Sequence, residues 1–289
     1  MRKKYTNKGI TLITLVITII ILLILSTTVL NMLFGENGLV TMAQKAKKSY
    51  EESVKSELGE LEEIFKGKFA DYNGKLRLDG TSLKNQYNEQ IQLMGLVAER
   101  LSEASQHAEN YEKKQFFSYY LNQESINTLK TWGVNVIRLG LKIGDFESEE
   151  KINDFFETVD LLIENDLYVI TLLWNNNNPN QNIDIAKDFF KSVVRRYENT
   201  PNIIYEIANE PTSDTEWKEI VEYSNAIIPL IREYSKDNII IVPCRSVDMR
   251  PDEVNMDDLV EKTNVMVSYH LYVGNALTEE NIRIFRGGT

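Results

Sequence analysis

Apolar positions along this chain fall into three regimes. The first is the run from Gly9 to Phe34, which carries no charge and reads Ile-Thr-Leu-Ile-Thr-Leu-Val-Ile-Thr-Ile-Ile-Ile-Leu-Leu-Ile-Leu from Ile10 onward. About 20 apolar residues are enough for a helix to cross a bilayer core, and the polar residues of the run are Thr, Ser and Asn, which can bond back to the helix backbone. Gly35-Glu36-Asn37-Gly38 then breaks the helix, and Leu39 to Lys66 mixes Glu, Lys, Ala and Leu at helical spacing, the pattern of a charged, mostly solvated stalk. From Lys75 short apolar runs alternate with helical periodicity, which is how βα repeats over a parallel sheet are written.

The third regime can be parsed element by element. Lys75-Leu76-Arg77-Leu78 reads as one arm of a small hairpin capping a barrel floor, and Ile91 to Leu96 as a first barrel strand. Helix Gln123 to Trp132, strand Val134 to Leu139, helix Lys151 to Asn165, strand Tyr168 to Leu173 and helix Ile185 to Tyr197 follow. The strand beginning at Ile203 is fourth, then come a helix from Glu216 to Tyr234, strands Ile239 to Val242 and Asn264 to Tyr269, and a short helix near Thr278. That makes six strands, whereas a closed (β/α)8 barrel has eight, and no Gly-rich phosphate loop of a doubly wound sheet is present. The expectation is an α/β, (β/α)8 TIM-barrel-like fold truncated after its sixth strand, with an N-terminal transmembrane helix. The expected divisions are a basic leader over 1–9, a membrane helix over 10–34, a stalk and linker over 35–73, and the barrel over 74–289.

Charge narrows the partners. A net charge of −11 disfavours nucleic acid and anionic polymers and suits a neutral ligand. The single cysteine, Cys244, rules out an internal disulfide framework and a Cys-based metal site, and the two histidines, His107 and His270, leave no His-rich metal site. No metal or cofactor is expected. Arg2, Lys3, Lys4 and Lys8 precede the apolar run, so the positive-inside rule places the N-terminus in the cytoplasm and the body outside, a single-pass cell-membrane protein. A cleaved secretory signal needs a shorter apolar core and a small-residue cleavage site, which this run lacks.

Chemistry concentrates at one strand end. Ile203-Ile204-Tyr205-Glu206-Ile207-Ala208-Asn209-Glu210-Pro211 is a continuous apolar run, as expected of a parallel strand buried on both faces. It stops on an Asn-Glu pair before Pro211, which resists further ladder pairing. Glu210 is thereby delivered to the carboxyl edge of the sheet, where barrels keep their active sites. Glu206, inside the run, reads as a structural partner facing the barrel interior. Trp174, with Asn175 to Asn178 behind it, suits either stacking on a ligand ring or forming a lid over the barrel.

Several of these pieces together resemble glycoside hydrolase family 5, the cellulase-like retaining TIM-barrel enzymes, over about Gly74 to Gly274. They are Trp132-Gly133-Val134-Asn135-Val136-Ile137-Arg138, the block Pro201 to Pro211, Asn238 to Val242, and Asn264-Val265-Met266 leading into His270-Leu271-Tyr272. The resemblance implies that Glu210 is the general acid/base, that Asn209 bonds the 2-hydroxyl of the bound sugar, that Arg138 orients the nucleophile, and that His270 and Tyr272 line the same subsite. Retaining hydrolysis takes two carboxyl groups about 5 to 5.5 Å apart. The family's second glutamate belongs at the end of strand seven and cannot be assigned here. Glu99 and Asp145 are the other carboxylates that strand counting places near the face. Further departures are Thr171-Leu172 where a Trp-His pair is expected, a position near Glu99 where a His is expected, and no tryptophan in Pro243-Cys244-Arg245-Ser246.

The implied function is a membrane-anchored, extracytoplasmic endo-β-1,4-glucanase acting on a β-linked polysaccharide, inactive or impaired as this chain. The alternatives are a non-catalytic carbohydrate-binding descendant and a pilin-like structural surface protein. The last follows from Lys8-Gly9-Ile10-Thr11-Leu12-Ile13, which resembles the start of type IV prepilin-like proteins, where a prepilin peptidase cuts after Gly and methylates the new N-terminus. That family usually has Glu at the fifth mature position, which is Thr14 here.

Overall fold

The computed structural model describes residues 12–65, 69–98, 112–175 and 177–272. The readings at Gly9, Glu99, His107 and Thr278 lie outside the described residues. The chain divides into a unit of residues 1–64 and a unit of residues 65–289.

The first unit contains helix α1, Leu12–Phe34, and most of helix α2, Leu39–Phe65. At 1.5 Å per residue the 23 residues of α1 extend about 34 Å, a little over the roughly 30 Å of a bilayer hydrocarbon core. Its apolar side chains are exposed from Ile13 to Met32 and at Phe34. The hydroxyls of Thr18, Thr27 and Thr28 donate to the carbonyls of Thr14, Leu23 and Ile24, four residues back, so the helix satisfies these polar groups itself. On α2, Lys47 and Lys48 face Glu51 and Glu52 one turn on, at 3.8 Å each. Exposed pairs of this kind add only a few tenths of a kcal/mol, which fits a helix whose polar surface is solvated.

In the second unit a short helix α3, Ala70–Asn73, leads into an antiparallel hairpin of β1, Arg77–Asp79, and β2, Ser82–Lys84. The sheet that follows is parallel throughout. Its strands are β3 Gly95–Ala98, β4 Val136–Lys142, β5 Tyr168–Trp174, β6 Ile203–Glu206, β7 Ile240–Val242 and β8 Val265–Val267, in that spatial order. Helices α4 Gln123–Thr131, α5 Glu149–Glu164, α6 Ile183–Arg196 and α7 Trp217–Tyr234 make the crossovers. Among the described residues the barrel is not closed.

Alternation along the strands explains both faces. Ile137, Leu139 and Leu141 of β4, Val169 and Leu173 of β5, Ile203 and Tyr205 of β6 and Ile240 of β7 join the cluster that packs on Phe155, Val159, Phe189, Val193 and Ile227 of the helices. Each large side chain buried this way contributes about 1.5–3 kcal/mol. The opposite set, Val136, Tyr168, Ile204, Ile239 and Ile241, forms a second cluster with Ala70 and Leu76, and Leu78 and Leu83 pack against it. The hairpin therefore seals the amino end of the strands with apolar groups. One step toward the carboxyl end, the inward positions become Arg138, Gly140 and Glu206.

Of the boundaries that depart from the sequence reading, three bear on how the body and the site are built. The first sheet strand starts at Gly95 rather than Ile91, because the side chain of Asn135 takes the N–H of Met94 at 2.7 Å and donates to the carbonyl of Gln92 at 3.1 Å, in place of ladder bonds. The Ile203 strand ends at Glu206, so Asn209 and Glu210 stand in the loop beyond it. The stretch Ala70–Asn73, read as linker, belongs to the body: Ala70 is buried and its N–H bonds the carbonyl of Asp166 at 2.8 Å.

Candidate active site

All six strands are parallel, so their carboxyl ends share one edge, and the predicted residues gather there in two groups. The first centres on Arg138, reaching up from the middle of β4. Its Nε donates to Glu206 Oε2 at 2.6 Å, and its Nη2 donates to Glu206 Oε1 at 2.7 Å and to Asn209 Oδ1 at 2.8 Å. Burial works against the guanidinium charge, but the bonds and charge of Glu206, with help from Asp248 and Glu210, raise its pKa on balance. Trp174, the last residue of β5, covers this group, its ring 5.2 Å from the guanidinium carbon. Arg138 thus joins Glu206 and Asn209 in one network, of which Asn209 is a buried member.

The second group centres on Glu210. His270 Nδ1 and Glu210 Oε1 share a hydrogen bond of 2.7 Å, and the hydroxyl of Tyr272 donates to the same oxygen. Glu210 itself has a φ of 37°, in the left-handed region, a strain of roughly 1–3 kcal/mol for a residue with a Cβ. Its side chain stays partly exposed, 17 % against 3 % for Glu206. Four residues apart, one glutamate is sealed by an arginine and the other is offered to solvent by an imidazole and a phenol.

The other readings separate. Asp145 lies in the turn after β4 and pairs closely with Lys151. Thr171 and Leu172 are buried within β5. A cavity of about 570 Å³ opens between β3, β4 and α4, lined by Leu96, Val97, Phe117, Tyr120, Leu129 and Trp132. It contains none of the residues above.

One carboxylate at this edge was not anticipated. Asp248 follows β7 and is fully buried; its Oδ1 accepts from the Cys244 N–H at 2.6 Å and its Oδ2 from the Glu210 N–H at 3.1 Å. Burial pushes its pKa up to about 6, against the lowering effects of His270, Ser268 and the two backbone donors. The sequence reading of this loop stopped at Ser246. No local pattern marks the next two residues, because Ser246, Val247 and Asp248 all have φ between 54° and 57°, a conformation that a β-branched residue rarely adopts.

The family model described as Cellulase (glycosyl hydrolase family 5) matches residues 92–282. The chain belongs to glycoside hydrolase family 5. Family members similar to it include an endoglucanase A of Butyrivibrio fibrisolvens, 32 % identical over 236 residues that cover 77 % of this chain and 51 % of the relative. A cellulase of a Thermoanaerobacterium species is 33 % identical over 222 residues, 71 % of this chain and 54 % of that protein. The chain therefore spans about half the length of these curated relatives. Among solved members of the family, the catalytic domain of a Thermobifida fusca endoglucanase superposes with a TM-score of 0.64 at 25 % identity, covering 75 % of this chain and 71 % of that one. The same domain is also known in complex with cellotetraose.

Proposed function

We propose that this chain is a membrane-anchored, extracytoplasmic glycoside hydrolase of the retaining endo-β-1,4-glucanase type, with Glu210 as its general acid/base. The observation that carries the reading is the one-sided grip on Glu210. A proton donor for a leaving glycosidic oxygen must be exposed to substrate yet held at a fixed angle, and His270 and Tyr272 meet one of its carboxyl oxygens, Oε1. The relatives named endoglucanase and cellulase support a β-1,4-glucan as the substrate. Trp174, at the rim of the same edge, offers an aromatic face to a sugar ring.

A second carboxylate is needed for retention. Among the described residues near Glu210, Glu206 is sealed by Arg138 and Asp248 is fully buried. Neither has the exposure that attack on an anomeric carbon requires. This observation favours, as a second reading, a protein that binds β-glucan and turns it over weakly or not at all.

Residues 10–34 supply the anchor in this proposal. The length of α1, its exposed apolar surface and its self-satisfied threonines suit a bilayer, and the basic residues before it orient the body outward. Gly9 is the proposed site for a prepilin peptidase.

The test uses the full chain purified in detergent, assayed for binding of cello-oligosaccharides and for release of reducing ends from a soluble β-1,4-glucan. Binding with little turnover is expected. Turnover abolished by Glu210→Gln would support the catalytic reading and discard the impaired one. The absence of both binding and turnover would sink the assignment to β-glucan.

A further inference from the structure

Asp248 is not part of the acid/base chemistry described so far, yet it touches every loop that builds it. Its two carboxylate oxygens take the backbone N–H groups of Cys244, after β7, and of Glu210, after β6. Its main-chain carbonyl takes the N–H of His270, after β8, at 2.8 Å. Oδ2 also stands 3.8 Å from Nε2 of His270, the nitrogen on the far side of the ring from Glu210. The left-handed turn at Ser246 to Asp248 brings this carboxyl beneath the site, and it is fastened by a bond from the Val247 N–H to the carbonyl of Pro211 at 2.9 Å. A buried carboxyl whose oxygens both hold backbone amides cannot reach a substrate.

We propose that Asp248 is a positioning residue for Glu210: it holds the proton donor's backbone in its left-handed conformation and, through the ring of His270, polarises the hydrogen bond that the donor's carboxyl receives. The proposal rests on reading Glu210 as the acid/base. Its physical basis is that a charged acceptor makes a shorter, stronger bond to a backbone amide than a neutral one, and that an imidazole transmits the charge at one nitrogen to the hydrogen bond at the other. The ionisable groups facing Asp248 are Glu210 and His270 from the adjoining loops and Arg138 from β4, with Cys244 in its own loop.

The chain has two histidines, so His270 can be followed by imidazole nitrogen NMR on the full chain in detergent, with His107→Gln giving the assignment. Asp248→Asn keeps the shape and removes the charge. The expected result is a shift at Nδ1, the nitrogen that meets Glu210, in the same folded protein. An unmoved Nδ1 in folded Asp248→Asn would overturn the proposal. Should that variant fail to fold, the wild-type chain decides: the Glu210 amide must be protected from hydrogen exchange, and free exchange there would overturn the proposal. Where the wild-type chain turns over a soluble β-1,4-glucan, Asp248→Asn is expected to lower kcat by about 10²-fold with KM little changed, as for a misaimed catalytic group. A shifted Nδ1 with no wild-type turnover would support the positioning role and overturn only the glycosidase reading. Normal kcat and an unmoved Nδ1 in the variant would overturn only the role of Asp248.

Discussion

Arg138 and Glu206 bind each other through two parallel hydrogen bonds of 2.6 and 2.7 Å across the interior of the sheet, with side chains 13 % and 3 % exposed. The pair commits the charge of Arg138 to Glu206 and leaves Glu210, four residues on, to be held by His270 and Tyr272 instead. Removing one member strands the other in a buried site, at a cost of about 3–5 kcal/mol. Glu206→Gln and Arg138→Met are each expected to unfold at clearly lower guanidinium concentration than wild type, with an unchanged slope. The double variant Arg138→Met/Glu206→Leu should recover much of the loss, since no lone charge remains. Equal losses in the double and single variants would show that the pair is not the source of the effect.

Asp248 makes stability depend on pH in a defined direction. Its folded pKa is raised to about 6 from 3.8, chiefly by burial. Between these values the native chain keeps a proton that the unfolded chain has lost. Stability therefore falls as pH rises from about 4 to about 6 and levels off above, by up to about 3 kcal/mol. Asp248→Asn abolishes this contribution. Whatever constant penalty the amide brings, the variant's stability relative to wild type should climb by about that amount between pH 4 and pH 7. A difference between the two that stays flat with pH would count against a buried, proton-binding Asp248.

Gly140 keeps the roof of the site in place. A methyl group there would stand 2.6 Å from Cε3 of Trp174 and 3.2 Å from Cδ2 of Leu172. An indole ring cannot yield as a flexible chain end does, so Gly140→Ala should destabilise by about 1–3 kcal/mol through overpacking. It should also lift the ring from Arg138 and forfeit a cation–π contact of about 0.5–2 kcal/mol. The check is Trp174 fluorescence, with Trp132 and Trp217 replaced by Phe, which should shift to the red in the alanine variant. Weakened binding of cello-oligosaccharides by the same variant would tie the ring to the sugar site.

Much of this arrangement was legible in the chain. Period and length placed the helices and the parallel strands, because a strand buried on both faces, such as Ile203 to Glu206, has few other ways to be written. Glu206 was read correctly as an interior partner from its place inside that run. Long-range contacts decided the rest. The first strand slipped because the Asn135 side chain, about forty residues on, takes the place of ladder bonds at Gln92 and Met94. The commitment of Arg138 to Glu206 follows from β5 lying between β4 and β6, a spacing that only the assembled sheet sets. Asp248 was missed because its aim comes from three successive left-handed residues, none of them glycine. Propensity gives no warning of such strain, which the surrounding bonds must impose.

The lone cysteine offers a test of how firmly that loop is held. Cys244 is fully buried beside Asp248, and burial, reinforced by the neighbouring carboxylate, pushes its thiol up to about 12. At pH 8 a thiol of that pKa is thiolate in only about one part in 10⁴, against roughly a tenth or more for an ordinary cysteine. Alkylating reagents attack the thiolate, so native Cys244 should resist labelling twice over, by occlusion and by protonation. Reaction should proceed only when the loop after β7 opens, at a rate independent of reagent concentration once opening is limiting. Asp248→Ala removes the acceptor that holds the Cys244 N–H and should speed labelling by at least about tenfold, the equivalent of about 1.4 kcal/mol in local opening. If wild-type Cys244 reacts as fast as the unfolded chain does, the loop is not closed around Asp248, and its hold on Glu210 goes with it.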